Sequence, residues 1–158
     1  MVVIKKAKIE DLNDIAIIGA ENFSGLKKHG GKWINCNFSA FPRFQYFIAK
    51  MGSKTAGYIL WAEKGGFREE SVFELEQVAV KRDFQGQGVG TQLIEKSLQE
   101  LKKYLKKRGS SLKLIEITTG TENMAQKLYK KTLGAKAECV VKNFFKGDEI
   151  VMIARFGK

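Results

Sequence analysis

Residues 85–90 read Gln85-Gly86-Gln87-Gly88-Val89-Gly90, three glycines in alternation. They lie between a strand that finishes at Val78-Ala79-Val80 and an apolar stripe that starts at Leu93-Ile94. Alternating glycines let the backbone turn tightly and leave its N–H groups uncovered. At the start of a helix those donors meet a dipole that favours negative charge, so the loop suits a phosphate. Two familiar phosphate loops do not fit. GxxxxGK[ST] needs a lysine before Thr91, where Gly90 stands. GxGxxG needs its third glycine at position 91, but that residue is Thr91 and the glycine comes one place early. The preceding strand is also the third of a hairpin run, not the first of a βαβ unit. A plain turn would need fewer glycines.

Outward from the loop, the spacing predicts strands at Phe44–Met51, Thr55–Glu63 and Ser71–Val80, joined by Gly52-Ser53-Lys54 and Lys64-Gly65-Gly66 as an antiparallel meander. A first strand is expected over Val2–Ile9, followed by a helix opened by Glu10-Asp11-Leu12 and ending near Phe23. Residues 25–44 carry aromatics without a clean period, Gly30-Gly31 breaks the stretch, and short helices and loops are expected there. Downstream, Leu93, Ile94, Leu98, Leu101 and Leu105 share one face of a helix over Thr91–Lys107, stopped at Gly109. A strand at Leu112–Thr119, a helix at Glu122–Thr132 stopped by Gly134, and strands at Glu138–Phe145 and Glu149–Phe156 complete one domain over residues 1–158. The order β-α-(α)-β-β-β-α-β-α-β-β implies a mixed α/β (α+β) fold with helices packed on a mixed sheet.

Rare residues narrow the chemistry. One histidine, His29, excludes an HExxH zinc enzyme. Cys36 and Cys139 cannot form a CxxC metal clip, so no metal site is expected, and two isolated cysteines in a lysine-rich chain read as reduced thiols. No segment reaches the roughly 18 apolar residues of a membrane span, and residues 1–10 lack an apolar run of signal-peptide length. The expectation is a cytoplasmic protein. The formal net charge of +11 is uneven, since residues 81–158 hold 17 basic and 8 acidic side chains. The half that contains the glycine loop is the half suited to an anion.

Gln85 to Gly90 resembles the (Gln/Arg)-x-x-Gly-x-(Gly/Ala) signature of the GNAT N-acetyltransferase superfamily. The resemblance extends through Val78-Ala79-Val80, Leu93-Ile94, Asn123-Met124-Ala125, Leu128-Tyr129 and Leu133-Gly134-Ala135. The departure is at Asn123, which stands two residues before Ala125 where the family's asparagine stands three before. The resemblance implies the GNAT fold, a mostly antiparallel sheet of about seven strands with helices on both faces. It implies acetyl-CoA as cosubstrate, its pyrophosphate on the amides of Gln85, Gly86, Gln87, Gly88, Val89 and Gly90 with Thr91. It also implies a pantetheine arm that enters a gap between Ser71–Val80 and Leu112–Thr119, pairs with the main chain at Val78, Ala79 and Val80, and is met from the other side by Asn123.

The same resemblance implies roles in the transfer. Tyr129 would protonate the leaving thiolate, against a reading as a core aromatic beside Leu128. The amide of Val80 or Val78 would hold the oxyanion. Glu76, four residues before the strand's last valine, matches the acid of polyamine acetyltransferases. Glu74, six before it, matches that of histone-type members, and other members use water as base. Read from residues alone, Glu74 and Glu76 also suit a solvated strand face. Lys81, Arg82, Lys127, Lys130 and Lys131 are candidates for the coenzyme's phosphates. Lys102, Lys103, Lys106, Lys107 and Arg108 read as a solvated helix end. The acceptor is a primary amine on a small molecule or a protein, expected at residues 25–44 and the hairpin around Lys146. The aromatics there serve equally as core or as the seam of a homodimer. No membrane partner is expected and no nucleic-acid motif is present. The alternative class is a catalytically silent acyl-CoA-binding module.

Overall fold

The computed structural model describes residues 1–157. Seven strands form one sheet: β1 (Val2–Lys6), β2 (Phe44–Met51), β3 (Lys54–Lys64), β4 (Glu70–Val80), β5 (Ser111–Gly120), β6 (Lys136–Val141) and β7 (Glu149–Arg155), in the spatial order β1-β2-β3-β4-β5-β7-β6. Only β4 and β5 run parallel; every other neighbour is antiparallel. Helices α1 (Leu12–Asn22) and α2 (Gly30–Ser39) cover one face over β2 and β3, while α3 (Val89–Arg108) and α4 (Ala125–Leu133) pack on the other. This is the mixed sheet with packed helices that the element order implies, with helices on both faces as the resemblance implies.

Each face has its own core. The α3 face buries Trp61, Phe73, Leu75, Leu93, Ile94 and Leu101, and the α1 face buries Ile15, Ile34, Tyr46, Ile48, Tyr58 and Leu60. Alternation along β3 explains the division, since Trp61 points to α3 and Leu60 to α1. Two glycines let helices approach the sheet. A Cβ at Gly57 would meet the Ala79 carbonyl oxygen at 2.6 Å and a Leu93 methyl at 3.2 Å, so the first turns of α3 lie close over β3 and β4. A Cβ at Gly19 would meet the Tyr58 hydroxyl at 3.0 Å, which brings that hydroxyl against α1.

Three expectations need correction. The short helix expected within residues 25–44 is α2, and Gly30-Gly31 opens it instead of breaking the stretch; Trp33 N–H donates to the His29 carbonyl at 3.1 Å. A Cβ on Gly30 would lie 3.1 Å from Cβ of Leu26, so the glycine is there for close approach. The last hairpin is shorter than its apolar residues suggest: β6 stops at Val141, because Asn143 turns to positive φ and Asp148 caps its N–H. Arg108 is not part of a solvated helix end. Its guanidinium makes a bidentate pair with Glu63 at 2.6 and 2.8 Å and reaches Ser71 at 2.7 Å. The Glu63 side chain is 1% exposed, so this pair anchors the C-terminus of α3 to β3 and β4.

Removing the guanidinium leaves a buried carboxylate alone, a change that costs about 3 kcal/mol or more. Arg108→Met should therefore lose about that much unfolding free energy in urea titration. Arg108→Met/Glu63→Gln should recover most of it.

Candidate functional site

The site begins where a ladder ends. β4 and β5 pair from Glu70/Ser111 to Glu74/Glu116 and no further, although β4 continues to Val80 and β5 to Gly120. The strands therefore part over the residues that resemblance marks as the arm's entry. A second irregularity adjoins it. Leu60 is opposite Gln77 and Trp61 opposite Leu75, so Glu76 is an extra residue on β4, a β-bulge. Before the bulge Phe73 and Leu75 face α3; after it Val78 and Val80 do. The apolar period slips by one residue between Leu75 and Val78, a signal present in the sequence and not read there.

The bulge sets the backbone for the gap. Lys81 N–H donates to the Ala56 carbonyl at 2.8 Å, on the β3 side. Alternation turns the amides of Val80 and Val78 the other way, toward β5, and leaves that of Ala79 facing β3. The Val80 carbonyl accepts from the Gln85 side chain at 2.9 Å, which ties the glycine loop to the end of β4. Gln87 donates to the Asp83 carbonyl at 3.0 Å. Gly86 and Gly88 adopt φ of +74° and +76°, the left-handed region that excludes most side chains, and Gly88 caps α3. Val89 and Gly90 form the first turn of α3, which starts two residues earlier than its apolar stripe suggests. The loop, Thr91, Val80, Phe84 and Leu128 enclose an open cleft of about 240 Å³. Lys81, Arg82, Lys127, Lys130 and Lys131 make no ion pair among the described residues.

Tyr129 lies on the inner face of α4 within the α3-side core. Its hydroxyl makes no hydrogen bond to another described residue, and burial pushes it up to about 12. It is therefore a neutral donor throughout the physiological range. Asn123 uses both ends of its amide: Oδ1 accepts from Ala125 N–H at 2.9 Å, and Nδ2 donates to Thr119 at 2.9 Å. Its Oδ1 thus holds the first residue of α4, which starts at Ala125 and not at Glu122.

Glu74 and Glu76 face the α1 side, away from Tyr129's core. Glu74 pairs with Lys64 at 3.5 Å. Glu76 has neither ion pair nor hydrogen bond among the described residues, and burial, with Glu74 nearby, pushes it up to about 7. Arg43 and Lys64 pull the other way. Beside it Tyr58 donates to Gln77 at 2.9 Å. Of these groups, Lys64, Arg43 and Gln77 escape the sequence reading, since a lysine at a strand end and an arginine before a strand carry no motif.

The aromatics of residues 25–44 divide. Phe38, Phe41 and Phe44 line a cleft of about 330 Å³ with Lys6, Ala7 and Tyr46, while Trp33 is 51% exposed on α2. Phe144 and Phe145 stack edge to face, 4.7 Å apart, on the exposed turn between β6 and β7. Cys36 and Cys139 are both exposed and free. Among the described residues no group of three or more His, Cys, Asp or Glu is placed to hold a metal, and no helix is long and apolar enough to cross a membrane.

The acetyltransferase (GNAT) family model matches residues 12–135. An uncharacterized N-acetyltransferase from Methanocaldococcus jannaschii is 28% identical over 153 residues, which cover 90% of this chain and 64% of that protein. The chain thus spans less than two thirds of that relative. Among solved structures, the ribosomal-protein-S18-alanine N-acetyltransferase from Escherichia coli superposes with a TM-score of 0.70 at 22% identity, covering 100% of this chain and 97% of the other. A Bacillus subtilis acetyltransferase in complex with CoA gives 0.69 at 19% identity, covering 99% and 100%. At these identities the solved structures establish a shared fold.

Forcing a Cβ into the left-handed region costs about 1–2 kcal/mol. A loop that relaxes to escape that cost must recover it on binding, so Gly86→Ala and Gly88→Ala should each weaken binding of a diphosphate probe such as ADP by about fivefold to thirtyfold, measured by calorimetry.

Proposed function

This chain belongs to the acetyltransferase (GNAT) family, and from that premise we propose that it transfers an acetyl group from acetyl-CoA to a primary amine. The observation that carries the reading is a coincidence of place. The glycine loop's left-handed amides, the outward amides of Val78 and Val80, and the end of the β4–β5 ladder all meet at the C-terminal end of β4, in the middle of the sheet. A ligand with phosphates at one end and a peptide-like arm at the other fits that sequence of donors. Coenzyme A brings roughly four negative charges on its phosphates. Lys81, Arg82, Lys127, Lys130 and Lys131 are the cations proposed to meet them.

In the proposed reaction the amine nitrogen attacks the thioester carbonyl carbon, and the carbon–sulfur bond breaks as the tetrahedral intermediate collapses. The Val78 or Val80 N–H holds the oxyanion. Tyr129 gives its proton to the departing sulfur. Glu76 takes the proton released by the amine; its lack of an ion pair favours it over Glu74, which Lys64 engages. Asn123, with one amide end on the first residue of α4 and the other on Thr119 of β5, supports the arm by tying the start of α4 to β5. The acceptor approaches on the α1 side, where Glu76 lies between the end of α2 and the gap. A protein or small-molecule amine satisfies this reading, as does a cytoplasmic setting.

A thiol-release screen with acetyl-CoA over amine and peptide panels tests the activity. Turnover on at least one amine is expected, and CoA binding without turnover on any acceptor would favour a silent acyl-CoA-binding module. Tyr129→Phe should lower kcat about 100-fold, the usual scale for a lost general acid. A base must be ionised to act, so kcat/KM should rise with pH through about 7, where half of Glu76 has lost its proton. Glu76→Gln should flatten that limb, and an unchanged profile would remove Glu76 from the mechanism.

A further inference from the structure

One row of residues crosses five strands on the α1 side: Phe44, Ala62, Glu74, Glu116 and Ile153. Its third and fourth members, Glu74 and Glu116, are the last paired residues of β4 and β5. Two carboxylates therefore stand directly opposite each other on the final rung, an arrangement that by itself drives paired strands apart. Lys64 lies between them. It sits on β3 opposite Val72, and its ammonium reaches over β4 to Glu116 at 2.8 Å while staying 3.5 Å from Glu74. The three side chains are 40%, 25% and 26% exposed, so the cluster is partly shielded from solvent and salt.

We infer that Lys64 is a positioning residue that sets where β4 and β5 part. Its charge cancels the repulsion at Glu74/Glu116 and holds that rung closed. The next β4 residues, from Leu75 through the Glu76 bulge, carry no such tie, and the strands separate there. Without the ammonium the rung at Glu74/Glu116 opens, and the vertex retreats toward Phe73/Ile115. The amides of Val78 and Val80 then lie farther from β5 and are misaligned with the glycine loop. The loop itself is carried by the first turn of α3, which packs close over β3 at Gly57, so its phosphate-binding amides are unaffected. The inference rests on the proposed reading that the gap receives the pantetheine arm.

The test separates arm from phosphates. Calorimetry compares CoA with 3′-phospho-ADP, which keeps the phosphates and lacks the arm, on wild type, Lys64→Met and Lys64→Arg. Lys64→Met should bind CoA about tenfold more weakly, the scale on which a small misplacement weakens a site. Its affinity for 3′-phospho-ADP should not change, and Lys64→Arg should recover most of the CoA affinity. Hydrogen exchange of the Ile115–Ile117 amides should quicken in Lys64→Met alone. If Lys64→Met unfolds, Lys64→Met/Glu116→Gln leaves one carboxylate on the rung and should bind CoA nearly as wild type does. Unchanged CoA affinity in Lys64→Met, equal loss of both ligands, or failure of the double variant to bind would each overturn the role of Lys64. A wild-type protein that binds CoA no tighter than 3′-phospho-ADP would instead overturn the reading of the gap, and this role with it.

Discussion

The parallel ladder between β4 and β5 stops at Glu74 and Glu116, with six residues of β4 and four of β5 still to come. Unpaired strand amides inside a fold are costly unless something else takes them. Here the flanking β3–β4 and β5–β7 ladders are antiparallel and run on past this point, so the deficit is confined to one wedge between the one pair that is parallel among the described residues. The Glu76 bulge makes the wedge usable. By inserting one residue it moves Val78 and Val80 onto the face that α3 covers and aims Glu76 and Gln77 at the opposite one. Backbone donors and a carboxylate are thereby delivered to two sides of the same strand.

The glycine loop depends on that wedge as well. Gln85 holds the Val80 carbonyl, and Gly57 lets Leu93 of α3 settle close on β3 beside β4. The far end of α3 is held by the buried Glu63–Arg108 pair. A long helix fixed at both ends presents its first amides at a defined height over the gap. This is why a phosphate site and an arm site can share one ligand. The charge distribution follows the same geometry, with unpaired lysines on α4 and beside the loop and carboxylates on the α1 side.

Much of this was legible in the residues. Alternation and helical stripes placed all seven strands, α1, α3 and α4, and the pattern from Gln85 to Gly90 together with Leu128-Tyr129 pointed to the family. What was less legible has physical causes. Short helices are expected within residues 25–44, but the start of α2 is masked because a glycine pair reads as a breaker, whereas Gly30 serves close packing on Leu26. Arg108 looked like one more surface cation because its partner Glu63 is 45 residues away in sequence. Lys64 belongs to no motif, and its meaning comes from strand register alone. The bulge was written in the slip from Phe73 and Leu75 to Val78 and Val80, but a slip of one is easily taken for the end of a strand.

The central claim is that β4's free amides and the glycine loop together receive one ligand. Amide hydrogen exchange with and without CoA tests it most directly. Protection on CoA addition should appear at Gly86 to Thr91 and, in the same experiment, at Val78 and Val80, and not at Ala79, whose amide faces β3. Protection limited to the loop, or spread evenly along β4, would contradict it.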